Sequence, residues 1–485
     1  MFAHAYGIFP PPLTAAIDKL LDKRVQIGYT IVESGPNGRF GRYDQGFGIG
    51  HVGYALFFCT KSERGRNGMN ETSFLSALRG LMRIESVRSY PERAYPYGAG
   101  CGRALDYMLA LGADMGFRTK NCGGEVGYIE TGEGEELVGI LAHLDTVPAG
   151  DVGKWRFPPF DLTEENGVLV GRGIVDDKGP AMAALFAMKA VKESGRKFTR
   201  RVRLILGQTE ENGDWTDMDY YCRNEELPTF GFTPDADFPV IYGEKGILHI
   251  DLVLPEESGV AVTGGVAPNV VPETCTAAFP DGTTLEKTGR AAHGSQPYNG
   301  DNAISHVMEA LGNTTSVSRF YNEYIGFDLH GERLGVDCAD EESGRITLNV
   351  GMVRREGDRH VLTLDLRCPV TKDMNDVAER LNAVAAKAGG KASIRNTQHP
   401  VYLDKNGTLV QTLLSVYRDA TGDKTEPAVI GGGTYARAME HIVAFGPMFP
   451  QREQTEHQIN ERVAKADLLL AERIYEEALF RLATE

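Results

Sequence analysis

The sequence predicts an α/β protein of two domains, with a mixed-sheet domain interrupted by an inserted α+β domain. Three observations lead there. A chain of 485 residues is too long to bury around one ordinary core, so two compact units are expected. Apolar strand-like runs alternate with helical ones between about 69 and 244, the pattern of a parallel or mixed sheet covered by helices. Between about 245 and 400 the rhythm shifts to short alternating strands with two helical stretches, and after 400 the earlier character returns.

Taken in order, residues 1–68 are set apart by Pro10 to Pro12, scattered glycines and the polar run Lys61 to Gly68. Periodicity is weak there apart from a short helical candidate at Leu13 to Leu21, so this stretch reads as an N-terminal extension without a clear fold. At Met69 the pattern changes: Phe74, Leu75, Leu78, Leu81 and Met82 recur at helical spacing behind the candidate caps Asn70, Thr72 and Ser73. Leu137 to Ala142 and Val202 to Leu206 read as buried strands, and Ala181 to Val191 as a helix. Helices are expected around Ala303 to Leu311 and Asp376 to Ala386, and a last one carrying Val463, Leu468, Leu469, Ile474 and Leu479.

Composition narrows the class. A net charge of -16 argues against a surface for nucleic acid or anionic membrane, because phosphate binding needs a positive field. No run approaches the ~18 apolar residues of a membrane span, and no basic segment followed by an apolar core opens the chain, which points to the cytoplasm. The seven cysteines are scattered without a C-x-x-C pair or a triad-like context, so no disulfide framework is expected and they read as small buried or surface thiols.

The chemistry-bearing residues gather where strands are expected to end. The run Leu137 to Pro148 is a strand leading into His143-x-Asp145, two side chains that share a face. A carboxylate beside a histidine can fix the tautomer that ligates metal, although a satisfied structural histidine reads the same way. Gly171 to Pro180 places Asp176 and Asp177 before a helix, where acids also serve as ordinary caps. After the strand Val202 to Leu206 come Glu210 and Glu211, which point in different directions, so one can ligate while the other reaches a water. Phe232 to Val240 adds Asp235 and Asp237, and Glu456-His457 precedes the last helix. Each motif alone is weak. Together they form a set of His, Asp and Glu donors suited to zinc or manganese and large enough for two ions if one carboxylate bridges.

The ordered run HLDTVP, GRGIVDDKGP, TEEN, TPDADFPVI, GRAAHGS, GGGTYARA and EQTEHQI resembles the M20 metallopeptidases, and within them the dipeptidases of PepV and Sapep type, from Met69 onward. The resemblance implies a di-metal peptidase domain made of residues 69–244 and 401–485, with residues 245–400 as an inserted α+β lid. It implies two divalent cations, zinc first with manganese or cobalt as alternatives. His143, Asp176 and Asp235 would hold one and Asp176, Glu211 and His457 the other, with Asp176 as the bridge and Asp235 chosen over Asp237. Asp145 would orient His143, and Glu210 would be the general base. The lid would bring His293 to the oxyanion, and Asn269 and Arg367 to the substrate. Gly432, Gly433 and Thr434 would face the substrate's terminal carboxylate. The implied partner is a short peptide, and the enlarged lid implies a monomer. Related chains begin near Met69, so the natural product is expected to start there. An N-acyl-amino-acid deacylase or a carboxypeptidase would use the same metals and base with a different lid pocket. A non-catalytic binding module would be expected to lack the base or a ligand.

Overall fold

The strand Leu137–His143 is buried at every position, as a strand covered on both faces must be. It lies parallel to Arg201–Gly207 on one side and to Phe230–Thr233 on the other. The structure, a computed structural model, describes residues 70–484, and the expectations for residues 1–68 lie outside them. Around this strand grows a mixed nine-stranded sheet. From one edge its order is Arg118–Cys122, Val126–Thr131, Arg201–Gly207, Leu137–His143, Phe230–Thr233, Ile442–Ala444, Ile241–Glu244 and Val401–Tyr402, with Ala428–Ile430 also pairing with Ile241–Glu244.

Helices cover this sheet. Glu71–Met82 starts at Asn70, whose side chain accepts from the Ser73 N–H, and it buries Phe74, Ala77, Leu78, Leu81 and Met82. Phe74 meets Phe186 of the helix Lys178–Glu193 edge-on, with ring centroids 5.2 Å apart. Each such fully buried side chain contributes about 1.5–3 kcal/mol. The last helix, Lys465–Thr484, packs in the same core. Val463, expected on that helix, lies instead in the short strand Arg462–Ala464, where it pairs with Leu169.

Residues 246–398 form a second, antiparallel sheet of seven strands, in the order Thr284–Thr288, Thr274–Ala278, Ala261–Gly264, Thr347–Glu356, Arg359–Cys368, Gly246–Pro255 and Lys391–Gln398. The helices Ala303–Leu311 and Met374–Lys387 agree with the sequence pattern. A third, Ser316–Tyr324, was not expected and is started by a reciprocal cap between Thr315 and Ser318. These elements share a core of their own, built around Leu252, Ile304, Phe320, Leu364 and Leu381.

The chain crosses between the sheets at Lys245, and it crosses back at His399 and Pro400. The outgoing and returning strands stay paired on both sides of the crossing, with Glu244 opposite Val401 and Ile247 opposite Gln398.

Candidate metal centre

His143 ends its strand, Glu210 and Glu211 follow the strand Arg201–Gly207, and Asp235 follows Phe230–Thr233. These strands are parallel, so their carboxyl ends and the loops after them share one edge of the sheet, where α/β proteins gather ligand-binding groups. Asp176 joins from the turn before the helix Lys178–Glu193, and His457 from the loop before the last helix.

Asp176 lies between two clusters. Its Oδ1 is 2.8 Å from His143 Nε2, while its Oδ2 is 2.9 Å from His457 Nε2. Asp235 Oδ2 approaches His143 Nε2 at 3.7 Å, and Glu211 Oε2 approaches His457 Nε2 at 2.8 Å. Donor atoms of His143, Glu210 and Asp235 lie within 4.8 Å of one another, as do those of His143, Asp176 and Glu211. The second acid of the Asp235/Asp237 pair faces elsewhere, toward Gln454.

The buried Asp145 carboxylate touches two parts of the site. It approaches His143 Nδ1 at 3.4 Å, beside the Asp145 backbone carbonyl at 3.0 Å. It also accepts the N–H groups of Glu210 and Glu211 at 3.3 and 3.1 Å.

Electrostatics marks the cluster as short of positive charge. Burial, followed by neighbouring acids that include each other, raises the carboxyl groups of Glu210, Glu211 and Asp235 despite the nearby imidazoles. Burial opposes protonation of His143, yet hydrogen bonds to Asp145 and Asp176 hold its affinity for a proton well above the ordinary value. The same competition, with Asp176 and Glu211 as partners, takes the half-exposed His457 up to about 12. Carboxylates and imidazoles crowded in this way, with one carboxylate facing both histidines, fit divalent cations of the zinc or manganese type.

Several contacts that support the site were not legible in the sequence. Asp177 is buried and accepts the His143 N–H at 3.0 Å. Glu461 is fully buried and takes four donors from the turn carrying Asp176: Arg172 Nη1 and the N–H groups of Gly173, Val175 and Asp176, at 2.8 to 3.3 Å. Asp217 accepts from Thr209 and from the Tyr435 hydroxyl, tying the Glu210 turn to the glycine loop. The acid at Glu461, close after His457, was the one available signal, and its role is visible only with the turn folded beside it.

The residues expected from the inserted segment lie on the second sheet and its loops. Gly294 donates to the Asn269 carbonyl at 2.7 Å, and the buried Asn349 holds this loop by donating to the carbonyls of Pro268 and Val270. His293 Nδ1 is 2.6 Å from Ser295 Oγ, and surrounding protein together with Arg367 pushes its ring down to about 4, so it is neutral at physiological pH. Ser295 abuts the glycine loop, where a Cβ placed on Gly431 would meet it at 3.1 Å. Arg367 commits three of its five N–H groups within the fold, two to Asp365 and one to the Gly431 carbonyl. The Thr434 hydroxyl is likewise engaged, donating to Glu244 at 2.7 Å, beside Gly432 and Gly433.

Fold and site together define a metallopeptidase: the chain belongs to the Peptidase family M20/M25/M40, whose profile matches residues 139–481. Among its relatives, YtjP of Bacillus subtilis (strain 168), provisionally named a dipeptidase, is 36% identical over 80% of this chain and 92% of its own. A protein of Staphylococcus epidermidis (strain ATCC 12228 / FDA PCI 1200) with a similar provisional name is 35% identical over 86% of this chain and 98% of its own. The fold is shared with the di-peptidase Dug1p of Saccharomyces cerevisiae, at a TM-score of 0.57, 12% identity and coverage of 86% of this chain and 97% of that one. It is also shared with the M20 metallo-carboxypeptidase Sso-CP2 of Sulfolobus solfataricus, at a TM-score of 0.56, 21% identity and coverage of 84% and 98%.

Proposed function

We propose that this enzyme hydrolyses dipeptides with the help of two divalent cations, zinc first, in the cytoplasm and as a monomer. The observation that carries the reading is Asp176, whose two oxygens face His143 and His457 separately at 2.8 and 2.9 Å. His143, Asp176 and Asp235 would hold one cation, and Asp176, Glu211 and His457 the other. The pair would supply Lewis acidity toward the scissile carbonyl and make a water acidic enough to attack near neutral pH.

The chain's own groups do the rest. Asp145 holds Nδ1 of His143 so that Nε2 faces the cluster. Glu210 keeps no ligand role in this reading: its carboxylate takes a proton from the attacking water and returns it to the leaving amine. His293, neutral and on a loop of the second sheet, donates to the carbonyl oxygen as negative charge develops there, with Asn269 beside it. The substrate's terminal carboxylate is assigned to the backbone at Gly432 and Gly433, next to Thr434 and the remaining N–H groups of Arg367. The relatives' dipeptidase names and the long segment between the two crossings support a closed pocket for a short substrate.

Protein stripped of metal and refilled with zinc, manganese or cobalt should bind two ions per chain and cleave a panel of Xaa-Xaa dipeptides. Preferential hydrolysis of N-acetyl amino acids or of longer peptides would replace this reading with a deacylase or a carboxypeptidase.

A further inference from the structure

The two crossings between the sheets meet at one side chain. Arg437 follows the glycine loop on a short 3-10 turn, Tyr435–Ala438, with its side chain only 3% exposed. Its Nη1 donates to the His399 carbonyl at 2.8 Å, the returning crossing. Its Nη2 donates to the Lys245 carbonyl at 2.7 Å, the outgoing crossing, and to the Gly432 carbonyl at 2.6 Å. Glu244, the residue before the outgoing crossing, lies 2.8 Å from Arg437 Nε and also accepts from the Thr434 hydroxyl and N–H. One guanidinium thus binds both chain crossings and the glycine loop, and one buried carboxylate orients it.

We propose that Arg437 is a positioning residue that sets the angle of the seven-stranded sheet over the metal centre and moves the glycine loop in step with it. This rests on the reading above that the second sheet closes over a dipeptide. Rotation at the outgoing crossing would draw the Lys245 carbonyl away from a part-buried guanidinium donor, which is costly, and rotation at the returning crossing would break the more exposed bond to His399. The two crossings and the loop therefore shift together or not at all. Arginine suits the task because its planar fork directs donors along several lines, whereas a lysine ammonium is a point charge on a flexible stem. The Arg437 hydrogen bonds end on backbone carbonyls and its ion pair on Glu244, so its effect on catalysis is indirect.

The test uses the full-length, metal-loaded enzyme with Arg437→Lys, Arg437→Met and Glu244→Gln. Metal content, KM and kcat for dipeptides, and hydrogen–deuterium exchange of peptides covering 243–247, 396–401 and 429–434 are measured for each. We expect unchanged metal content, a KM raised on the order of tenfold in both Arg437 variants, and faster exchange in all three peptides at once. Glu244→Gln, which keeps the shape of the partner, should move the same readouts less and serves if an Arg437 variant does not fold. Full rescue by lysine would show that Arg437 only neutralises Glu244, and faster exchange confined to 429–434 would show that it braces its own loop alone. Either result overturns the proposal. If the unsubstituted enzyme failed to bind two cations or to cleave dipeptides, the functional reading would fall, while the exchange pattern would still report on the crossings.

Discussion

Glu210 and Glu211 are neighbours in the chain, yet only Glu211 contacts His457, and the roles proposed for them differ accordingly. Glu210→Gln should keep both cations and lower kcat by roughly 10²–10⁴-fold, measured with metal analysis on the same sample; near-normal turnover would remove the base assignment. Asp176→Ala should lose metal from both positions, whereas His457→Ala should lose it from one. His457 also predicts a proton count. In the metal-free protein, hydrogen bonds to Asp176 and Glu211 raise it to about 12 against the opposing effect of burial, so it carries a proton at neutral pH, and ligation requires that proton to leave. Cation affinity should therefore rise with pH, and titration calorimetry should give a heat that depends on the buffer's ionisation enthalpy. A heat independent of buffer would mean that His457 is already neutral. His143, Asp176, Glu211 and Asp235 stood out in the sequence beside strand ends and a helix start, whereas their grouping with His457 as one ligand set came from the resemblance to the M20 metallopeptidases. The roles of Glu461, Asp177 and Asn349 were not legible, because each binds backbone groups brought close only by folding, such as those between Glu461 and Val175.

At the scale of elements, the turn carrying Asp176 is held from both sides. Glu461 binds its N–H groups, and the helix Lys178–Glu193 closes over it at Gly179, where a Cβ would lie 2.1 Å from the Ile174 carbonyl. Gly179→Ala should push the turn away from its helix, costing about 1–3 kcal/mol of stability and weakening cation binding. A thermal melt and a metal titration that both match the unsubstituted protein would show that the helix start has room to yield. The pattern of apolar residues revealed Leu137–His143 and Lys178–Glu193 because both are long and deeply buried. The helix Ala99–Asp114 escaped notice for a physical reason: it carries Gly100, Gly102 and Gly112, each unfavourable in a helix by about 1 kcal/mol relative to alanine. Packing overrides that preference, since a Cβ at Gly100 or Gly102 would collide with the Glu85 carbonyl or the Tyr95 ring.

At the scale of the described residues, the donors proposed for the cations and the base lie outside the seven-stranded sheet, on the nine-stranded sheet's strand ends and on loops beside it, and His293 lies on a loop of the seven-stranded sheet. His293→Ala should thus reduce kcat by roughly 10²–10³-fold while leaving metal content unchanged, and loss of metal in that variant would tie His293 to the cations instead. Removing the metal with a chelator should also lower the melting temperature, because partly buried carboxylates such as Asp235 and Glu210 would lose their counter-charge. A melt insensitive to chelator would count against cations at this cluster.

The pairing of Glu244 with Val401 and of Ile247 with Gln398 means that residues 246–398 occupy the place of a hairpin turn between neighbouring strands. An insertion at such a place can be lengthened, shortened or traded as a cassette without altering the register of the strands that receive it. His143, Asp176, Glu210, Glu211, Asp235 and His457 all lie outside the cassette, whereas Asn269, His293 and Arg367 lie within it. On the roles proposed above, one continuous stretch of gene would carry the substrate contacts together with the oxyanion donor His293, while the cation ligands and the base are encoded on either side of it.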